Sequence, residues 1–206
     1  TEARQDGSAA ILADTYVTRL HALLESADRP AIGRIADEFR AARDRGSTVY
    51  VAGNGGSSAT GAHWVNDLAK GTKRPGHPPM RAMNLTDNVP WLTALANDEG
   101  YERIFAAQLE TFARPGDVLV VISASGNSPN ILRAIETANE YGLVTLGLLG
   151  FDGGAALQAV DAAVWIRTEH GEYGLVESAH SAIADIVTAC VANEYANEYA
   201  AVATVT

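Results

Sequence analysis

The 206 residues hold one cysteine, Cys190. No disulfide can brace the fold within the chain, and a reducing setting, the cytoplasm, is expected. Cys190 lies in the apolar run Ile186-Val187-Thr188-Ala189-Cys190-Val191, where it reads as a small core residue. Cations are also scarce: 15 Lys and Arg face 25 Asp and Glu, for a formal net charge of −10. That balance argues against a general nucleic-acid binder, which needs a basic face. No apolar run reaches the roughly 18 residues of a membrane crossing, so no membrane partner is expected. The polar start Thr1-Glu2-Ala3-Arg4-Gln5-Asp6-Gly7 has no signal-peptide pattern. The Gly-Lys-Ser/Thr end of a Walker loop is missing, and so is a spaced Gly-x-Gly-x-x-Gly. No acidic ribose binder ends the second strand near Leu85, so neither a Rossmann dehydrogenase nor a nucleotide cofactor is expected.

What remains is an ordinary globular composition, 47% hydrophobic and 19% charged, in a length suited to one domain with a sizeable core. Two segments stand out. Val49-Tyr50-Val51-Ala52 runs into Gly53-Asn54-Gly55-Gly56-Ser57-Ser58, and Val118-Leu119-Val120-Val121-Ile122 runs into Ser123-Ala124-Ser125-Gly126-Asn127-Ser128. Each is a β-branched buried strand that breaks into small polar residues where a helical pattern begins. Such loops offer backbone N–H groups and hydroxyls at a helix N-terminus, where an anion is favoured. The alternative for the first loop is a structural turn. Two such loops together suggest a phosphorylated ligand at the carboxyl edge of a parallel sheet.

The periodicity predicts two helices between about Ser8 and Arg45, the second opened by Pro30 and ended by Gly46. Strands are predicted at Thr48–Ala52, Met80–Leu85, Val118–Ile122, Val144–Leu149 and Ala163–Arg167. Helices are predicted at about Ser58–Ala69, Trp91–Asn97, Glu102–Phe112, Ser128–Tyr141, Gly153–Val160, and from Leu175 to about Ala200. This alternation predicts an α/β protein: a three-layer α/β/α sandwich with a mostly parallel five-stranded sheet and an N-terminal helical pair. Residues 1–46 form the helical pair and 47–206 the sheet domain, with no linker between them. The repeat Ala192-Asn193-Glu194-Tyr195, Ala196-Asn197-Glu198-Tyr199 reads as a packing or interface stripe.

Residues able to do chemistry fall on two helices. His63 and Asp67 are four apart and share a face. On the last helix Glu177 and His180 are three apart, and Asp185 lies eight beyond Glu177. One imidazole and three carboxylates could hold a divalent metal or move protons. Either pair alone reads more readily as a surface salt bridge or cap than as a site, and Asn66-Asp67 and Asn97-Asp98 read as polar surface.

The ordered series Gly53-Asn54-Gly55-Gly56-Ser57, His63, Leu95-Ala96-Asn97-Asp98, Gly116-Asp117-Val118-Leu119, Ile122 to Ser128 and Gly150-Phe151-Asp152-Gly153-Gly154 resembles the sugar isomerase (SIS) fold, in its phosphoheptose isomerase branch. The likeness spans roughly residues 8–195. It implies a homotetramer with sites between subunits, and a ketose-phosphate to aldose-phosphate isomerase moving a proton between C1 and C2. It implies phosphate binding by Asn54, Gly55, Gly56, Ser57, Ser123, Ser125, Asn127 and Ser128, with Asn97, Asp98 and Glu177 facing the substrate. Asp67 stands at the family's general-base Glu, Glu177 at its Gln, and Asp185 at its second catalytic His. The expected catalytic set is Asp67, His180 and Asp185. The expected metal set is His63, Asp67, Glu177 and Asp185, taking zinc before manganese. Substrates compatible with the altered positions are sedoheptulose 7-phosphate and an eight-carbon octulose 8-phosphate. The competing expectations are a non-catalytic adaptor of the replication-initiator-binding kind and a sugar-phosphate sensor. Retention of three acidic groups favours catalysis over either.

Overall fold

The computed structural model of the chain describes residues 3–193. Helix α1, Ala3–Ser26, leads into α2, Arg29–Asp44, whose N-terminus is capped by the Asp28 carboxylate accepting the Ala31 N–H, with Pro30 in the first turn. Alternation follows: β1 Thr48–Gly53, α3 Gly55–Gly71, β2 Arg81–Asn84, α4 Val89–Asp98, a 3-10 turn at Tyr101–Arg103, α5 Ala106–Phe112 and β3 Val118–Ser123. Then come α6 Pro129–Glu140, β4 Val144–Leu149, α7 Ala156–Ala159, β5 Ala162–Trp165 and α8 Tyr173–Ala192.

The five strands lie in the order β2-β1-β3-β4-β5, and every pairing is parallel. Burial on both faces explains the unbroken apolar run of β3, each of whose six residues is buried. One core layer joins β1, β3 and β4 to α2, α3 and α8 through Ile35, Phe39, Trp64, Leu68, Ile183 and Val187. The other packs Leu85, Phe105, Leu109, Ile131 and Ile135 on the opposite face. The three-layer architecture therefore agrees with the sequence expectation.

Some boundaries differ. The helix after β1 begins at Gly55, not Ser58, because Gly55 at φ +53° turns the strand into the helix within one residue. The glycine pair thus forms the helix's first turn instead of preceding it. The segment expected as one helix over 102–112 divides into the 3-10 turn and α5. The tyrosine repeat beyond residue 193 and the extension toward Ala200 lie outside the described residues. The expectation about membrane spans also needs correction, since α8, at 20 residues and mean hydropathy 1.4, is long and apolar enough to cross a bilayer. Its apolar character serves the core instead: Leu175, Val176, Ala179, Ile183, Val187 and Val191 are buried inside the protein.

Helix α1 is tied to the start of α8 by Tyr16 Oη and Ser178 Oγ, 2.9 Å apart, and by the Arg19–Glu172 ion pair at 2.5 Å. The Arg19 guanidinium holds the Glu172 carboxyl below its ordinary range.

Candidate active site

Loop 1, between β1 and α3, and loop 2, between β3 and α6, sit side by side at the carboxyl edge of the sheet. Loop 1 turns tightly, because a β-carbon on Gly53 would come within 2.8 Å of the Ser57 backbone. Loop 2 is braced internally: Gly126 N–H donates to Ser123 Oγ at 3.0 Å, and Asn127 N–H to Ser125 Oγ at 3.3 Å. Gly126, at φ +62°, also packs against the Gly153 carbonyl so closely that no side chain fits. The Asn127 side chain accepts from Ala155 N–H at 2.9 Å, fastening loop 2 to the Gly150–Gly154 segment after β4. Of the hydroxyls, Ser57 and Ser123 are buried, while Ser125 and Ser128 are half-buried. Ser128 is the N-cap of α6 but forms no side-chain cap bond.

Asn54 is held away from the space above loop 1. Its Nδ2 donates to Asn130 Oδ1 at 3.0 Å, and its Oδ1 accepts from Asn130 Nδ2 at 2.8 Å and from Tyr101 Oη at 3.1 Å. Asn130, 1% exposed, carried no signal as a site residue in the sequence. Its value came from a position one residue after the Pro that opens α6. Asn97 and Asp98 end α4 as an exposed pair, Asn97 Nδ2 donating to Asp98 Oδ1 at 2.7 Å.

A second group of residues forms where α3 meets α8. Thr60 Oγ1 and Ser181 Oγ are 3.1 Å apart, and Trp64 Nε1 donates to Thr188 Oγ1 at 3.1 Å. These pairs advance together along both helices, so α3 and α8 run in the same direction. The seam brings one ligand atom each from His63, Asp67 and Asp185 within 4.8 Å of one another. His63 Nε2 lies 3.2 Å from Asp67 Oδ2, and Asn66 Nδ2 donates to Asp67 Oδ1 at 3.0 Å. One imidazole and two carboxylates match the three protein ligands of an open zinc site, and the two oxygen donors also admit manganese.

Two members of the expected set are elsewhere. Glu177 is not part of the triad. It lies beside Gly56 at the opening of α3, and eight residues of helix put about 12 Å between it and Asp185. His180 sits at 0% exposure on the core side of α8, with neither ring nitrogen hydrogen-bonded among the described residues. Burial pushes its pKa down to about 4. The Leu149 backbone works in the opposite direction, but without hydrogen-bonding geometry. A neutral imidazole sealed in the core is no donor to a substrate, so the acid role expected of His180 does not fit its place.

A surface cavity of about 580 Å³, lined by Glu102, Pro129, Leu132, Arg133 and Glu136, lies on the outer flank of α6. None of the candidate site residues lines it, so we assign it no chemistry.

Residues 15–150 match the SIS domain family. The chain belongs to the SIS family. Among curated relatives, this SIS protein is 38% identical to the phosphoheptose isomerase of Rhodospirillum rubrum over 162 residues, covering 79% of this chain and 85% of the relative. It is 35% identical to that of Chlorobaculum parvum over 177 residues, covering 85% and 84%. Among solved structures, the phosphoheptose isomerase of Francisella tularensis superposes with a TM-score of 0.81 at 26% identity, over 90% of this chain and 98% of that one. The protein is thus related over most of its length to aldose–ketose isomerases.

Proposed function

We propose that this SIS protein is an aldose–ketose isomerase of a long-chain sugar phosphate, sedoheptulose 7-phosphate or an octulose 8-phosphate. The observation that carries this reading is the convergence of Asp185 of α8 with His63 and Asp67 of α3, the helix whose first turn forms loop 1. Relationship to phosphoheptose isomerases over most of the chain supports it.

In this reading the phosphate lies between loops 1 and 2. It is held by the first-turn N–H groups of α3 and the hydroxyls of Ser57, Ser123, Ser125 and Ser128. Asp67 takes a proton from C1, beside the C2 carbonyl of the ketose, and returns it to C2, so that the carbonyl moves to C1 as the hydroxyl proton passes from the oxygen on C1 to the oxygen on C2. His63 orients the Asp67 carboxylate through its 3.2 Å contact, and Asp185 handles the hydroxyl proton on the facing side. His63, Asp67 and Asp185 would hold a divalent ion, which when bound polarises the sugar's carbonyl and steadies the enediolate. The exposed apolar stripe Ile11, Leu12 and Val17 on α1, each at least 66% exposed, supports assembly into a homo-oligomer, a tetramer in this reading.

The test is an isomerisation assay on sedoheptulose 7-phosphate and an octulose 8-phosphate, with and without EDTA. Conversion of either to its aldose supports the reading, and loss of conversion with EDTA assigns the metal. Binding of both sugars without conversion would mean that the triad is not catalytic.

A further inference from the structure

An asparagine in the N-cap position normally turns its side-chain oxygen onto the second or third N–H of its own helix. Asn54 is the N-cap of α3, in extended conformation at φ −105° and ψ 148°, yet it makes no such bond. Its amide is engaged at both ends instead. Asn130 both donates to it and accepts from it, and Tyr101 donates to the same oxygen. Asn130 cannot flip, because its Oδ1 also accepts from Ile131 N–H at 3.0 Å. It cannot drift either, being buried at the base of α6.

We infer that Asn130 is a positioning residue that holds Asn54 off its own helix, keeping the first-turn N–H groups of α3 open for the substrate's phosphate. This rests on the reading of loops 1 and 2 as the phosphate site. A conventional cap would satisfy one of those groups with the protein's own oxygen and so compete with the ligand. The clasp prevents that competition with an amide pair whose partners lie 76 residues apart in sequence. Tyr101 adds a bond from the turn after α4, so three bonds from two separate segments fix one side chain. The device is electrostatically neutral, and phosphate capture does not depend on the charge of the clasp.

Asn130→Ala releases Asn54, which then caps α3. The expected result is a phosphate dissociation constant, and a KM for the sugar phosphate, about five- to tenfold higher, the strength of one N-cap bond turned against the ligand. The change in kcat should be small. Tyr101→Phe removes one of three bonds and should have a smaller effect in the same direction.

The decisive variant is Asn54→Gly combined with Asn130→Ala. Glycine is an acceptable N-cap without a side chain that could occupy the N–H groups, so affinity should recover relative to Asn130→Ala alone. Inorganic phosphate is titrated by calorimetry into the full-length protein and each variant, alongside steady-state kinetics and thermal melts. Recovery in the double variant supports the clasp. Equal phosphate affinity in wild type and Asn130→Ala, or weakening that Asn54→Gly deepens, overturns it. Phosphate binding without turnover of any ketose phosphate would overturn the isomerase reading alone, and no phosphate binding by the wild type would overturn both.

Discussion

The Glu177 carboxylate fills the space that a β-carbon on Gly56 would need. A carboxylate at the opening of α3 is favourable for the helix and unfavourable for a bound phosphate, since both compete for the same positive end. Replacing Glu177 with Gln keeps the shape and removes the charge. The expected outcome is tighter phosphate binding, by a few-fold, and a loss of stability of about 0.3–1 kcal/mol from the helix end. Calorimetric titration and a denaturant melt read the two effects separately.

Asp67→Asn should abolish isomerisation while leaving the melting temperature and sugar-phosphate affinity near their wild-type values. Asp67 is half-buried on the α3–α8 seam, well along α3 from the first turn that forms loop 1. Asp185→Asn should weaken zinc or manganese binding, because it removes one of the three donors within 4.8 Å. Glu177→Gln should leave metal affinity unchanged. A metal titration in which Glu177→Gln binds as poorly as Asp185→Asn would contradict the three-donor arrangement.

His180 makes stability depend on pH. Its folded pKa lies at about 4 against an ordinary 6.5, so the unfolded chain binds the proton first as pH falls. Stability contributed by keeping this ring neutral is therefore complete above pH 6.5, declines between 6.5 and about 4, and levels off below that. The full effect is about 3 kcal/mol. His180→Leu should flatten this part of the curve in denaturant melts run from pH 7 to pH 4. A curve unchanged by the substitution would place the acid sensitivity elsewhere.

Gly126→Ala should be far more damaging than Gly56→Ala, although both lie in site loops. At Gly126 the new methyl meets the Gly153 backbone in a left-handed conformation, for a cost of about 1–3 kcal/mol or more. At Gly56 it meets only the end of a flexible Glu177 side chain, and helix propensity gains roughly 0.5–1 kcal/mol. Thermal melts should rank the two variants in that order.

Much of this was legible from period and punctuation. The β-branched runs ending in Gly, Asn and Ser marked β1 and β3 and the turns into the helices after them, because buried parallel strands and the tight turns that leave them have distinctive compositions. The i, i+4 spacing of His63 and Asp67 correctly placed them on one face. Which face of α8 met them was not legible. Glu177, His180 and Asp185 all read as candidates, and only the parallel packing of α3 and α8 separates Asp185 at the seam from His180 in the core and Glu177 at the helix opening. The partnership of Asn54 with Asn130 was equally hidden, since a contact across 76 residues leaves no local pattern.

The parallel course of α3 and α8 has a further effect on how an anion meets this molecule. In a sheet with every strand parallel, α3, α6 and α8 all start at the same edge, so their N-terminal partial charges, about half a unit each, add instead of cancelling. At the far end of α8, Arg40 donates to the Cys190 carbonyl and Arg74 to that of Ala192, absorbing the negative pole. A chain with a formal charge of −10 repels a dianion from most directions. The backbone nevertheless gives it one attractive end, and that polarity belongs to the topology. Reversing surface side-chain charges should therefore alter how often a phosphate arrives more than how firmly it is held once there.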